Sequence, residues 1–285
     1  MLLIIINESE CVLMVTFKQQ TRKQHYYPRF LLKYFANSDN KINAYVRYKD
    51  KFLTVNYNNV CCRKYAYETD DVDNILENQL SKYEAKMSII LNDLFLNNFN
   101  EPSSETKDFI IRFIILQYYR TDYGRLILNN HLNDTLNNTH TLNPAYYRIN
   151  PFTHIDIKNK YNEIKDVNDL FTRYNLLDLI YEDITIPDNY DLHVAWCDFN
   201  NERFITSDNP VIIGCGCIFL SISPEVCFVI QDNRRFGNEG WTITLPYDDF
   251  EALNYNIINN ATNFVLSRYP FSITEKLNIC NKFKG

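Results

Sequence analysis

The spacing of apolar residues divides the chain into a helical first part and a strand-rich last part. Between residues 72 and 98, apolar positions recur every three or four residues, which predicts a long helix with one buried face. Residues 105–128 are apolar around nearly the whole helical cylinder, a pattern typical of a helix that is buried on all sides. A third helix is predicted over residues 166–182, so residues 71–182 form the helical part of the chain.

Strand patterns lie on both sides of this helical part. Within residues 14–70, Pro28 suits the first turn of a short helix, and residues 41–48 and 52–60 are predicted as the two strands of a hairpin. From residue 190 to residue 270 the apolar runs are short and bounded by turn residues. The strands predicted there cover residues 192–197, 203–207, 211–213, 218–222, 226–231, 241–245 and 263–268, and a helix is predicted over 247–260.

Helices first and strands later favour an α+β fold over a sheet that alternates strand and helix. We therefore predict a helix-rich N-terminal half packed on a largely antiparallel or mixed sheet from the C-terminal half. The 285 residues show no internal repeat and no linker, so a single domain is expected. The apolar run Met1–Ile6 is too short for a signal-peptide core. Residues 1–13 are expected to be a dispensable extension, because every motif follows Met14.

Composition and charge narrow the function classes. The net charge is −6, so no global basic surface indicates non-specific binding to nucleic acid, although a local basic groove stays open. None of the eight cysteines forms the C-x-x-C spacing of zinc or redox sites, and free thiols are typical of a reducing cytoplasm, which is the location we expect. No apolar run reaches the roughly 18 residues that a membrane-spanning helix needs, so no membrane segment is predicted.

Arg120 is the first candidate functional residue, because it lies on the almost wholly apolar helix predicted over residues 105–128. Gln117 lies three residues before it and points the same way. A buried guanidinium without a partner is costly, so an anion must lie beside Arg120. We predict that this anion is Asp208, in contact with Arg120 directly or through a water or a bound ion.

Asp208 follows a short predicted strand and belongs to the polar turn Thr206–Pro210. Pro210 forces Asn209 into an extended conformation, and Ser207 adds a further polar side chain to the turn. A carboxylate at the end of a strand is a common position for chemistry, and it is also common in an Asx-turn that only shapes the backbone. Both interpretations stay open at this point.

Four pieces of sequence together resemble a bacterial family named only as domain of unknown function 4238. The pieces are Gln24–Phe35; Glu77 and Glu84 followed by Gln117–Arg120; Ile205–Val211 followed by Ile222–Pro224; and Asn254–Ala261 followed by Phe264–Ser267. They occur in this order and cover most of residues 24–268. The family name carries no established chemistry. The resemblance implies a protein of mobile or defence-associated gene neighbourhoods, and with it a role in phage defence or as a toxin.

The polar residues of these pieces suggest a hydrolase that acts on a nucleic acid or a nucleotide. In a nuclease-like reaction, Glu84 and Asp208 would hold Mg²⁺, which prefers oxygen ligands. His25 would act as general acid or base, and Arg120 would stabilise the charge of the phosphorane. The residues expected to support these four or to bind the substrate are Gln117, Ser207, Asn209, Ser223 and Asn254.

A non-catalytic protein is the alternative function class. In that interpretation, Arg120, Asp208 and His25 form a buried polar network that fixes the fold of a sensor or a partner-binding protein. Ser223 and Asn254 then serve turns and backbone groups instead of a substrate. A basic cleft that exposes Asp208 would favour the enzyme, whereas a buried network without a cleft would favour the sensor. The sequence leaves the oligomeric state open.

Overall fold

The computed structural model describes residues 23–68, 74–134, 158–173, 178, 188–197, 203–214, 216–236 and 240–284. Its helices are α1 (Arg29–Tyr34), α2 (Ile75–Leu96), α3 (Ser104–Tyr119), α4 (Asp122–Asp134), α5 (Tyr161–Arg173), α6 (Asn233–Phe236), α7 (Tyr247–Asn260) and α8 (Ile273–Lys284). Its strands are β1 (Lys23–His25), β2 (Lys41–Val46), β3 (Lys51–Asn56), β4 (Cys62–Lys64), β5 (Tyr190–Trp196), β6 (Thr206–Ser207), β7 (Val211–Gly214), β8 (Cys217–Ser221), β9 (Val226–Asp232), β10 (Thr242–Thr244) and β11 (Phe264–Ser267).

The strands of the described residues form three sheets. Five strands in the order β10–β5–β9–β8–β7 make the largest sheet, in which β10 and β5 run parallel and the other neighbours antiparallel. A second sheet has the order β3–β2–β11–β6 and is antiparallel, and β1 pairs with β4 in the third. The α+β prediction is confirmed. The N-terminal hairpin is also part of the C-terminal strand layer, because β2 and β3 share a sheet with β11 and β6.

The large sheet is covered on both faces, which explains the runs of consecutive apolar residues in β7, β8 and β9. Successive residues of a strand point to opposite faces. Val211 and Ile213 of β7 belong to the core that contains α2 and α3, whereas Ile212 belongs to the core that contains α7. Phe228 and Val229 of β9 divide between the two cores in the same way. A strand that is buried on both faces carries apolar residues at consecutive positions, as Val211–Ile213 and Val226–Ile230 do.

Burial of the second long helix is confirmed. Ile110, Phe113 and Ile114 of α3 are each at most 1% exposed. Trp241, which precedes β10, donates its indole N–H to the carbonyl of Phe99 before α3 (2.8 Å), and this bond joins the helical layer to the large sheet. None of the described helices has both the length and the apolar character needed to cross a membrane.

Residues 105–128 do not form the single helix that the sequence predicts, because two residues separate α3 from α4. Thr121 caps the start of α4. Its Oγ1 accepts a hydrogen bond from the N–H of Gly124 (3.0 Å) and donates to the carbonyl of Tyr118 (2.9 Å). The chain approaches itself so closely here that a Cβ on residue 124 would lie 1.9 Å from the carbonyl oxygen of Tyr118. The helical spacing of apolar residues continues from α3 into α4, so the sequence pattern does not reveal that the helix is interrupted.

Three further helices compare with the predictions in different ways. α7 has the predicted bounds, residues 247–260. The third predicted helix corresponds to α5, which begins earlier than expected, at Tyr161. The sequence pattern does not predict α8, because its exposed Ile273 and Leu277 obscure the apolar face formed by Ile279 and Phe283. Residues 1–13, predicted to be dispensable, lie outside the described residues.

Candidate functional site

Arg120 follows α3, is 3% exposed and directs its donors into a polar cluster. Its Nη1 donates to the carboxylate of Glu84 (2.7 Å), its Nη2 to the carbonyl of His25 (2.6 Å), and its Nε to the hydroxyl of Tyr67 (3.0 Å). Glu84 on α2 therefore supplies the anion that this buried cation requires. The predicted direct contact between Arg120 and Asp208 is wrong, because α2 packs beside α3 and its carboxylate reaches the guanidinium first.

Glu77 lies on the same face of α2 as Glu84, as their spacing of seven residues indicates. Burial raises the pKa of Glu77 to about 7. Arg120 lowers this pKa, whereas the negative charges of Glu84 and Glu68 raise it further. Glu77 is consequently a carboxyl group that titrates near neutral pH inside the Arg120 cluster.

His25 is half-buried, and its Nε2 lies 3.2 Å from the carbonyl oxygen of Asn58. Burial lowers the pKa of His25 to about 4; the bond to Asn58 opposes this shift, and nearby cations, chiefly Arg29, add to it. A carbonyl only accepts hydrogen bonds, so Nε2 carries the proton and the ring is neutral at pH 7. A neutral ring that donates to the backbone does not match the general acid of the hydrolase hypothesis.

A buried pair that the sequence analysis missed supports the same cluster. The side-chain amide of Gln24 donates to the carboxylate of Glu68, and its Oε1 accepts from the N–H of Tyr67 (2.8 Å). Glu68 also accepts from the N–H of Asn74, the residue before α2 (3.2 Å). Gln24 belongs to the first piece that resembles the family, but nothing in its spacing indicates that its side chain is buried.

Asp208 is 1% exposed and belongs to a second network. Its carboxylate accepts hydrogen bonds from the N–H of Thr262 (2.9 Å), from the hydroxyl of Thr262 (2.5 Å) and from the N–H of Asn263 (2.8 Å). Burial raises the pKa of Asp208 even though these bonds oppose the rise. With three donors bound, the carboxylate fixes the connection between α7 and β11 instead of facing solvent.

The neighbours of Asp208 in the sequence also bind backbone groups. Ser207 Oγ accepts from the N–H of Asn209 (3.2 Å), and the side-chain amide of Asn209 donates to the carbonyl of Asn260 at the end of α7 (2.7 Å). Asn254 of α7 accepts from one backbone N–H (3.2 Å) and donates to one carbonyl (3.1 Å) of the segment before β6. These bonds to the backbone are the kind that the structural interpretation of Asn254 expects, and the polar turn ties β6 to α7.

Ser223 and Gln117 complete the predicted set. Ser223 Oγ accepts from the N–H groups of Glu225 (3.1 Å) and Val226 (3.0 Å), and these bonds hold the turn between β8 and β9. The side-chain amide of Gln117 donates to the carbonyl of Tyr26 (3.0 Å) and fixes α3 to the segment after β1. Apart from Ser223, the candidate residues from the sequence divide between two networks, each of which includes hydrogen bonds to the backbone.

The carboxylates proposed for Mg²⁺ are not brought together. Glu84 is bound by Arg120, and Asp208 is bound by Thr262 and Asn263. Within the part of the chain that the structure describes, no three His, Cys, Asp or Glu side chains are grouped as metal ligands. The described residues therefore do not fit the Mg²⁺ site of the hydrolase hypothesis.

A cavity of about 390 Å³ adjoins the network of Asp208. Two of its lining residues, Thr262 and Asn263, are the ones that bind Asp208, and a third, Asp122, follows Arg120 by two positions. We call this cavity the basic pocket, because three cationic side chains and one carboxylate line it. The lining residues are Arg47, Arg63, Asp122, Lys158, Tyr161, Thr262 and Asn263.

The carboxylate of Asp122 does not balance the charge of the basic pocket, because it is already paired twice. Arg63 donates to it through Nη1 (2.7 Å) and Nη2 (3.2 Å), and the fully buried Arg125 donates through Nη2 (2.5 Å). Burial raises the pKa of Asp122, but Arg125 and Arg63 outweigh burial and hold it below its ordinary value. The pocket thus carries an excess of positive charge.

Arg47 forms no ion pair with any described carboxylate. Its Nη2 lies 3.4 Å from the side-chain oxygen of Asn263, and its buried Nε has no hydrogen-bond partner among the described residues. The Nε of Arg63 is buried and unpartnered in the same way. Burial lowers the pKa of Arg47, against the opposing effect of Asp208. An anion with several acceptor oxygens would satisfy both guanidinium groups at once.

The sequence analysis missed the basic pocket because its residues come from distant segments. Arg47 follows β2, Arg63 belongs to β4, and Lys158 and Tyr161 lie around the start of α5. No local motif connects them. Asp122 was the one residue of the pocket near a predicted site residue, because it follows Arg120 by two positions in the sequence.

One known protein family matches the sequence over the part of the chain that contains these sites. A sequence profile of the family described as "Protein of unknown function (DUF4238)" matches residues 23–270, which include both networks and every lining residue of the basic pocket. The chain belongs to this family. No curated protein and no solved structure matches the chain. The description of the family names no activity, so the function has to be argued from the site.

Proposed function

We propose that this chain is a ligand-binding protein whose basic pocket holds the phosphate group of a nucleotide. One observation carries the proposal. Arg47 and Arg63 line the same cavity, and the buried Nε of each has no hydrogen-bond partner among the described residues. A guanidinium group binds two phosphate oxygens at once through a pair of N–H donors. A single water molecule cannot accept both of these hydrogen bonds in the same geometry. Lys158 adds a third cation at the same cavity.

Other groups in the basic pocket favour a nucleotide over a bare anion. The ring of Tyr161 is 41% exposed, and the guanidinium of Arg63 lies 5.1 Å from its centroid. An aromatic ring beside phosphate-binding cations gives a base a surface on which to stack. Asn263 contributes an amide, which can both donate to and accept from the edge of a base. The volume of about 390 Å³ lies in the range of small-molecule sites, roughly 300–1,000 Å³.

A free nucleotide or the phosphorylated end of a strand fits the charge distribution better than a duplex does. Proteins that bind nucleic-acid backbones neutralise many phosphates with lysine and arginine. Here the net charge of the chain is −6, which repels a long polyanion, while three cationic side chains converge on one cavity. This arrangement suits one or two phosphate groups.

The contacts support binding in preference to hydrolysis. Glu84, Asp208 and His25 are each engaged by protein groups, and the ring of His25 is neutral at pH 7. Hydrolysis by these residues stays a prediction, as do a protein partner and a role in phage defence or as a toxin. A cytoplasmic location is part of the proposal, since nucleotides are abundant there and the six described cysteines are free thiols.

Isothermal titration calorimetry with the four nucleoside monophosphates, each compared with its nucleoside, tests the proposal. We expect at least one monophosphate to bind and its nucleoside to bind about tenfold more weakly or not at all, since charge-assisted bonds carry the affinity. Arg47→Gln should weaken this binding by about tenfold or more. Lys49→Gln, on the same 3-10 turn but outside the pocket, should leave it unchanged.

A 5′-phosphorylated dinucleotide in the same titrations distinguishes a strand end from a free nucleotide. Binding by neither class of probe, or equal binding by wild type and Arg47→Gln, would overturn the proposal. Incubation of each probe with Mg²⁺ followed by chromatography tests the hydrolase prediction separately. Growth after induction and phage challenge test the toxin and defence predictions.

A further inference from the structure

A second cavity, of about 290 Å³, lies between α7 and the face of the large sheet that α7 covers. Ile212 of β7, Phe219 of β8 and Ile243 of β10 form its floor, and Leu253 of α7 forms part of its roof. We call it the apolar pocket. It shares no lining residue with the basic pocket.

Gln231 is the unusual residue in the apolar pocket. It lies on β9 opposite Cys217 of β8, lines the cavity and is 5% exposed. Its Nε2 is buried and has no hydrogen-bond partner among the described residues. A buried donor without an acceptor is unfavourable, so such a group beside the apolar floor of the pocket requires an explanation. A ligand that brings an acceptor into the cavity provides one.

The opening of the apolar pocket lies along one face of α7. Asp249, Ala252 and Asn256 are spaced by three and four residues, so they share this face, and all three line the cavity. Asp249 and Ala252 are exposed, which gives a ligand access from solvent. Asp249 is the charged residue among the described lining, and its negative charge disfavours an anionic ligand.

We propose that the apolar pocket binds a small uncharged molecule, largely aromatic or aliphatic, that presents one acceptor such as a carbonyl oxygen to Gln231 Nε2. The apolar floor and roof exclude a charged body, and the buried amide selects the acceptor. This ligand class differs from the anion that suits the basic pocket, so the inference does not rest on the proposed function.

Equilibrium dialysis with two probes of the same shape tests this proposal. 2-Acetylnaphthalene carries a carbonyl oxygen where 2-isopropenylnaphthalene carries a methylene group. Wild-type protein should bind the acetyl compound about fivefold more tightly, the ratio that one neutral hydrogen bond supplies. Gln231→Leu should bind the two probes equally, because it removes the donor and keeps a similar volume.

Access is tested on α7 with a matched pair of substitutions. Ala252→Phe places a ring at the opening and should weaken the binding of both probes severalfold or more, whereas Glu251→Phe, one position away and outside the lining, should not. Thermal melting checks that each variant is folded, and Gln231→Met replaces Gln231→Leu if the latter does not fold. The proposal would be overturned if wild type bound neither probe or bound both equally. It would also be overturned if the variant without Gln231 still preferred the acetyl compound.

Discussion

Glu84 of α2 and Arg120 at the end of α3 form an ion pair of 2.7 Å in which the guanidinium side chain is 2% exposed and the carboxylate side chain 26%. The pair joins the two long helices at the point where the chain turns from α3 into α4. Arg120 also keeps two neutral acceptors, the hydroxyl of Tyr67 and the carbonyl of His25. Its position is thus determined by three elements at once, and Glu84 supplies the charge.

Removal of Glu84 is expected to destabilise the protein without preventing folding. Glu84→Ala leaves a buried cation whose remaining hydrogen-bond partners are neutral, a change that costs about 3–5 kcal/mol for a fully buried pair. We expect about 2–3 kcal/mol here, because solvent screens the partly exposed carboxylate. Urea unfolding measures the loss. In an Arg120→Met background the same substitution should cost much less, and an equal cost in both backgrounds would show that the two charges do not interact.

Asp208 is expected to be a structural residue. Asp208→Ala leaves the buried N–H and hydroxyl of Thr262 and the partly buried N–H of Asn263 without their acceptor, and we expect a loss of about 3 kcal/mol in the free energy of unfolding. Asp39→Ala, in an exposed turn, is the matched control and should change stability little. An Asp208→Ala protein that is as stable as wild type but has lost ligand binding or activity would contradict the structural assignment and favour a functional one.

The sequence was sufficient to find segments with a regular apolar period, and it was sufficient to identify Arg120 as a buried cation. It was not sufficient to name the partner of Arg120, because that choice depends on how α2 and α3 pack. From the sequence alone, Asp208 was as suitable an anion for Arg120 as Glu84. The structure decides for Glu84, since Asp208 is already bound by the backbone at Thr262 and Asn263.

The basic pocket lay beyond sequence reasoning for a related reason. Arg47, Arg63 and Tyr161 come from three segments that share no period and no motif. Each is an ordinary surface residue in its own context. Their function as a set follows from tertiary structure, in which the connection before β11 brings Asn263 next to them.

Gly124 is expected to be essential for the break between α3 and α4. Gly124→Ala would place a Cβ 1.9 Å from the backbone oxygen of Tyr118, and backbone atoms cannot move aside as a flexible side chain can. We expect a loss of at least about 3 kcal/mol, comparable with other severe overpacking. Gly240→Ala is the matched control, because a Cβ there meets nothing within 4 Å. Thermal and urea unfolding of the two variants should differ clearly, and equal stability would mean that the turn can relax.

Glu77 is expected to make stability depend on pH near neutrality. Burial raises its pKa from the ordinary value of 4.5 to about 7, so the folded protein holds this proton more tightly than the unfolded chain does. The free energy of unfolding should therefore fall as pH rises from about 4.5 to about 7 and level off above that range. Glu77→Gln cannot ionise and avoids this loss.

The measurement is urea unfolding of wild type and Glu77→Gln at intervals between pH 5 and pH 8. The stability of Glu77→Gln relative to wild type should increase with pH, because only wild type must ionise a buried carboxyl group next to Glu84 and Glu68. His25 titrates in both proteins, so its effect largely cancels in the difference. A flat difference for Glu77→Gln would mean that Glu77 ionises in the folded protein as freely as in the unfolded chain.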